Sequence, residues 1–290
     1  MPNLKDVKTK IGGVKKTAQI TSAMNMVAAS KLRGAQQKME KFRDYAEKFN
    51  AAMGNLSPAM NPAEFPLMEQ RDVKSVEIVL VTSDRGLCGS FNSNVVRVVE
   101  KMIAKYKAEG KKVSLLCVGK KGNGSFKKSG LVRNRYLDIM GSFQMYNARA
   151  IGQDAAENFL SGAVDEVKVV FAEFRSVAVQ RPKVLDLLPI KPIESDGEVA
   201  AQTSVDYIYE PQPEQIMEVL LPLYLNVMIY HAMLEVSAGE HAARMSAMDN
   251  ATSACRDMIT ELTMIYNKVR QGSITAELMD IVGGAEALRG

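Results

Sequence analysis

The stretch IMEVLLPLYLNVMIYHAMLEVSAGEHAARMSAMDNATSACRDMITELTMIYNKV, residues 216–269, decides the fold. On a heptad ruler one seam runs through it: Ile216, Leu220, Leu223, Val227, Tyr230, Leu234, Ser237, His241, Met245, Met248, Thr252, Cys255, Ile259, Leu262, Tyr266 and Val269. The steps alternate between four and three, with one extra four after His241. That is the period of a helix packed along a partner helix for its whole length. Extended over about 70 residues at 1.5 Å each, such a helix reaches on the order of 100 Å. It cannot fold back on itself, so it requires a partner of similar length. Pro222 falls in its first turns and predicts a kink or a late start.

The partner lies at the other end of the chain. Residues 3–56 carry a second seam: Ile11, Val14, Ala18, Thr21, Met24, Ala28, Leu32, Ala35, Met39, Phe42, Ala46, Phe49 and Met53. No proline falls between Pro2 and Pro58. Two consecutive fours at Met24, Ala28 and Leu32 match the pair of fours at Ser237, His241 and Met245, and stutters of this kind locally unwind a left-handed supercoil. Small seam residues near the start (Ala18, Thr21, Ala28) allow two backbones to approach closely. Gly12 and Gly13 weaken the first turns.

Between the helices the period changes. Pro58, Pro62 and Pro66 end the first helix. Val76 to Thr82 is a short, β-branched apolar run and reads as a buried strand. Ser83 to Gly89 is a turn, and a helical pattern covers Asn92 to Lys107. Val113 to Val118 is a second strand, followed by a basic, glycine-rich stretch from Lys120 to Gly130. Asn147 to Leu160 is helical, Val167 to Phe174 is a third strand, and Val184 to Ile190 is extended. The β-α-β-α order predicts an open α/β domain with a mostly parallel sheet. The expected fold is therefore α/β plus a long antiparallel coiled coil. Its parts are an N-terminal coiled-coil helix (1–57), an inserted Rossmann-like α/β domain (73–210) and a C-terminal coiled-coil helix (211–290).

Composition narrows the function. No run of 18 or more consecutive apolar residues occurs, and Met1 to Lys5 lack the apolar core of a signal peptide, so neither a membrane span nor an export signal is expected. Cys88, Cys117 and Cys255 are odd in number and form no CxxC pair, which predicts reduced thiols in an intracellular protein. The net charge is only +4, but residues 1–50 hold a clear excess of Lys and Arg. That excess fits either an acidic neighbour or a solvated helix face. Gly119-Lys120-Lys121-Gly122-Asn123-Gly124-Ser125 lacks the Lys-Ser/Thr step of a phosphate loop, and no G-x-G-x-x-G follows a strand. His231 and His241 read as buried, hydrogen-bonded residues rather than metal ligands, and Cys88 as packing at a helix start. No catalytic group, cofactor or metal site is expected.

Four separated motifs then agree with one family. Ile20-Thr21 with Met24 to Leu32 (MNMVAASKL), Ser83 to Gly89 (SDRGLCG), Glu240 to Met245 (EHAARM) and Ile274 to Ala287 (ITAELMDIVGGAEA) resemble, in type, spacing and order, the γ subunits of F-type ATP synthases. The resemblance covers essentially the whole chain. It implies a central rotor shaft standing in a ring of three α and three β subunits, with a foot that meets the ε subunit and the membrane c-ring. It implies no catalysis by this chain itself, no nucleic-acid partner, no direct membrane insertion, and a peripheral place on the cytoplasmic face of a bacterial plasma membrane. It places Met24 near an acidic loop of β. It links Arg244, Gln271, Thr275 and Glu277 with coupling and with contact to β, and it assigns Tyr207, Tyr209 and Glu210 to the foot segment that faces ε and the ring. Asp84 and Arg85 are expected to hold the turn in the α/β domain. The redox-regulatory cysteine insert of the chloroplast type is not visible. The residues alone also allow a non-rotary coiled-coil scaffold, or an α/β enzyme with helical arms.

Overall fold

The structure, a computed structural model, describes residues 3–56, 64–191 and 212–287. The elements are α1 (Leu4–Leu56), β1 (Ser75–Val81), α2 (Phe91–Ala108), β2 (Lys112–Val118), α3 (Lys120–Phe126), β3 (Val132–Tyr136), α4 (Met145–Leu160), β4 (Glu166–Phe174), β5 (Gln180–Leu188) and α5 (Pro213–Ala287). The chain divides into two compact units, Ala29–Arg244 and Met1–Ala28 with Met245–Gly290.

The larger unit is built on a five-stranded sheet of order β3-β2-β1-β4-β5. β1 pairs in parallel with β2 and β4, β2 in parallel with β3, and β5 closes the far edge antiparallel to β4. Val76 to Val81 are buried on both faces, as expected of a central strand covered on two sides. The apolar runs predicted as strands are β1, β2 and β4. The extended segment predicted at 184–190 overlaps β5 at 184–188.

Two elements differ from expectation. The basic, glycine-rich stretch after β2 holds the short helix α3, and the unpredicted edge strand β3 follows it. β3 reads Val-Arg-Asn-Arg-Tyr and carries no apolar run because its middle faces polar partners. Arg133 donates to buried Glu77 of β1 and to Asp154 of α4, at 2.6 Å in each case. Asn134 donates to the same Asp154 at 2.7 Å.

The other difference lies in α5, a 75-residue helix that begins at Pro213 and includes Pro222, so the helix does not start late. Within the larger unit it buries more than its seam. A second stripe, Met217, Leu221, Leu225, Ile229, Ala232 and Val236, belongs to the same hydrophobic cluster as the strands. Close packing on this side depends on small residues: a Cβ at Gly152 of α4 would stand 2.9 Å from Asn226 Oδ1. α5 also holds an 18-residue window of mean hydropathy 1.5, and half of that window is buried inside the fold. Burial on two sides explains the apolarity without a membrane.

The seam toward α1 is as predicted. Phe42 of α1 meets Tyr230 edge to face at 4.8 Å, and Arg43 bonds Glu235 at 3.0 Å. In the smaller unit the same pairing continues. Thr21 and Thr252 share a buried hydroxyl hydrogen bond of 2.7 Å, and Asn25 Nδ2 donates to Met245 O at 2.9 Å. In the smaller unit partner numbers rise on α1 as they fall on α5, so the pair is antiparallel there. Every predicted seam position on both helices is buried or half-buried. Of the cations on α1, only Arg43 has a carboxylate partner among the described residues, and the rest are exposed.

Candidate functional site

The strand order creates one place where chemistry would be expected. From β1 the chain winds to β2 and β3 on one side, then crosses to β4 on the other. The carboxyl ends of β1 and β4 therefore flank a topological switch point, where open α/β sheets receive their ligands. Here α5 occupies that place. The N–H of Phe174, the last residue of β4, donates to Glu235 Oε2 at 2.8 Å. Beyond β1, the carbonyl of Gly86 accepts from Arg244 Nη2 at 2.9 Å and Nε at 3.3 Å. A Cβ on Gly239, between these contacts in sequence, would stand 2.7 Å from the Phe91 ring at the start of α2, so only glycine allows the approach.

Arg244 is thus an interior residue. Its guanidinium also donates to Glu240 Oε1 at 2.6 Å and lies 3.5 Å from His241 Nδ1. Both side chains of the pair are at most 10% exposed. Burial pushes the Glu240 carboxyl above its ordinary value, and Arg244 opposes that push. Burial, helped by the cations Arg244, Lys31 and Arg85, holds His241 down to about 4. The pair anchors the turn Ser83 to Gly89, which is fixed from within as well. Asn92 Oδ1 accepts from Ser83 N at 3.0 Å. Asp84 accepts from the backbone N–H groups of Lys120, Asp138 and Met140 at 2.9, 3.1 and 2.9 Å. Asp84 therefore holds the turn as expected, while Arg85 is exposed and contributes its carbonyl to Ser83 Oγ. Cys88 is buried at the foot of α2 and its thiol is pushed up by burial, which makes it packing rather than a nucleophile.

His241 gives this region a pH signature. Its folded value of about 4 lies below the ordinary imidazole value. The unfolded chain therefore binds the proton first as pH falls, and the stabilisation from burying the neutral ring is lost between about pH 6.5 and 4. We expect thermal stability to decline across this window and His241→Gln to flatten the decline. A pH series of unfolding midpoints for both chains checks this.

The remaining predicted residues lie elsewhere. Met24 is half-buried on the α1 seam of the smaller unit. Gln271, Thr275 and Glu277 are exposed, and Thr275 Oγ1 donates to Gln271 O at 2.9 Å within the helix. Arg244 belongs to the larger unit and these residues to the smaller. Tyr207, Tyr209 and Glu210 lie outside the described residues. The segment around Gln271 has one evident property: every residue from 271 to 287 is exposed, including Ile274, Leu278, Met279, Ile281 and Val282. Met279 and Ile281 are each 67% exposed. An apolar surface of this kind on a soluble helix marks a place where a partner sits. Sequence reading missed Glu235, whose only signal was a lone carboxylate inside the apolar run Met233-Leu234-Glu235-Val236.

Comparison with known proteins agrees with this arrangement. A family model described as ATP synthase matches residues 3–288. The chain is 64% identical to the ATP synthase gamma chain of Desulfotalea psychrophila and 54% identical to that of Nitratidesulfovibrio vulgaris strain Miyazaki F, over the full length of both chains in each case. Among solved structures it is similar to a chain of the central stalk and c-ring of the Tetrahymena thermophila mitochondrial ATP synthase. That match has a TM-score of 0.62 at 28% identity and covers 80% of this chain and 99% of that one. A chain of the Euglena gracilis mitochondrial ATP synthase shares the fold with a TM-score of 0.70 at 20% identity, covering 98% and 94%. The family match from end to end and the identity to gamma chains over their full length place this chain in the ATP synthase gamma-chain family.

Proposed function

We propose that this chain is the central rotor of an F-type ATP synthase, coupling ion-driven rotation to ATP synthesis at the β subunits. The observation that carries the reading is the exposed apolar end of α5 on a chain that matches gamma chains from end to end. Its partners are three α and three β subunits, the ε subunit and the membrane c-ring. It is a peripheral component of the membrane-associated complex, on the cytoplasmic face of a bacterial plasma membrane. Residues 1–57 and 211–290 serve as the shaft and 73–210 as the foot, with Tyr207, Tyr209 and Glu210 facing ε and the ring.

The mechanism follows from asymmetry. Two unlike helices present a different face to each of three chemically equal β subunits. A ligand can shift a conformational equilibrium only by its differential affinity for the two states. A shaft in one orientation therefore favours a different state in each neighbour, and turning it permutes the three states. By linkage, nucleotide exchange at β biases the angle of the shaft in return. The end of α5, with Gly283, Gly284, Ala285 and Ala287 beside Ile281 and Val282, offers a collar shallow apolar contact and few directional bonds. Such contact resists tilting more than it resists rotation. Met24, Gln271, Thr275 and Glu277 act at the surface toward β, and Arg244 acts from inside. Catalysis belongs to β. In support, the ligand crevice of the sheet is filled by α5, and of Gly119 to Ser125 only Gly119 is a turn residue, the rest being wound into α3.

The test is co-expression with α and β from the same source, purification through a tag on β, and an ATPase assay. One copy of the chain per three αβ pairs is expected. Deleting residues 274–290 removes several buried apolar contacts at once and is expected to lower ATPase activity by about tenfold or more. A chain that does not co-purify, with ATPase activity unchanged in its absence, would overturn the rotor reading and favour a non-rotary scaffold.

A further inference from the structure

The filled crevice bears on how torque passes through the molecule. Glu235 is 1% exposed and sends its two oxygens to two different elements. Oε2 accepts the N–H of Phe174 at the end of β4. Oε1 accepts from Arg43 Nη2 of α1 at 3.0 Å, with His231 Nε2 at 3.6 Å. One carboxylate thus ties together both shaft helices and the sheet. Nine residues on, about two and a half helical turns away and so on the opposite side of the α5 axis, Arg244 is tied to the loop beyond β1. Two directional bonds on opposite sides of an axis form a couple that resists twisting about it. Apolar contacts alone do not, because side chains can exchange rotamers as a helix turns. The buried charges are also costly: a well-packed apolar residue at such a site is often equally stabilising. What charge supplies here beyond burial is direction.

We infer that the crevice where this sheet topology ordinarily takes a ligand serves instead as a socket that locks α5 against twisting in the foot, with Glu235 as a positioning residue for torque transfer. The inference rests on the rotor reading above. Glu235 touches no nucleotide and no reacting atom; it acts by keeping the shaft and the sheet in one angular register. A shaft that slips in its socket lets β hydrolyse ATP without delivering the full turn to the ring. The quantity that changes is therefore the number of ions pumped per ATP hydrolysed, rather than the amount of complex.

The test uses the complete complex in inverted vesicles. ATP hydrolysis is measured together with ion uptake, by a pH-sensitive dye for protons or a tracer for sodium. Glu235→Ala is expected to lower ions pumped per ATP by roughly two- to thirtyfold, the range for substitutions that alter coupling without touching either site. Glu235→Gln keeps an acceptor for Phe174 N–H and should lose less. Arg43→Met removes the tie to α1 and should fall between them, and adding it to Glu235→Ala should cost little more. An assembled Glu235→Ala complex with lower thermal stability but an unchanged pumping ratio would overturn the inference and leave Glu235 a purely structural residue. If Glu235→Ala does not assemble, the ratio in Glu235→Gln and Arg43→Met decides in the same way. Failure of the unsubstituted chain to co-purify with α and β would count against the rotor reading, not against the socket.

Discussion

Replacing Arg244 with alanine is expected to expose the β1–α2 turn and loosen α5 from it. The substitution leaves Glu240 buried without its counter-charge and leaves Gly86 O without its donors. Breaking a buried pair by removing one partner costs about 3–5 kcal/mol, most of it the penalty of the stranded charge. Protonation of Glu240 recovers part of that loss, since burial already pushes its carboxyl up. Hydrogen exchange on the assembled complex reads the effect directly. Backbone amides from Ser83 to Asn92 should exchange at least about a hundredfold faster, while those of β2 change little. Replacing Glu240 by glutamine as well should restore much of the protection, because no unpaired charge then remains. A rotor whose Arg244 reached outward to β would behave differently: exchange in the turn would be unchanged and only catalysis would suffer.

The second large effect is expected at Gly119, where β2 turns into α3. Its backbone stands at φ +93° and ψ 147°, a region essentially restricted to glycine. A Cβ there would lie 2.1 Å from the carbonyl oxygen of Thr82, a backbone atom that cannot step aside. Relief requires the turn to open, and the turn carries Gly119 N to Tyr136 O at 2.8 Å and Gly122 N to Thr82 Oγ1 at 2.8 Å. Strain and lost bonds together put the cost of Gly119→Ala on the order of 4 kcal/mol. The neighbouring Gly124 has open space around its Cβ position and lies inside α3. Gly124→Ala should therefore be neutral or slightly stabilising by helix propensity. Thermal unfolding midpoints of the two variants, with the yield of complex containing each, separate the outcomes.

The legibility of the chain followed physical lines. Both seams were readable because a long helix pair has one dominant constraint, a stripe repeating every seven residues, and each seam position is buried or half-buried. β1, β2 and β4 were readable because strands covered on both faces must be apolar throughout. β3 was not readable, since an edge strand whose middle side chains bond Glu77 and Asp154 has no apolar signature. α3 was hidden by its glycines, of which Gly122 is there for close approach to Leu80 and Thr82. The second buried stripe of α5 was hidden by the first, because a heptad ruler keeps one face and discards the rest. The site divided in the same way. The exposed apolar end was visible as composition. The inward role of Arg244 was not, because nothing local says that a charged residue on a helix points at a carbonyl 158 residues earlier.

The second stripe of α5 has a bearing on how the protein is made. Met217, Leu221, Leu225, Ile229, Ala232 and Val236 complete the hydrophobic cluster of a sheet whose last strand ends at Leu188. A ribosome working from the N-terminus therefore delivers all five strands before the helix that finishes their core. Until about residue 240 has emerged from the exit tunnel, the growing chain carries a formed or forming sheet with apolar surface uncovered, and an N-terminal helix with no antiparallel mate. Contacts this distant in sequence close late, and the species that precede them are the ones that aggregate. The core of the sheet is thus completed only after the first turns of α5 have been made, late in synthesis.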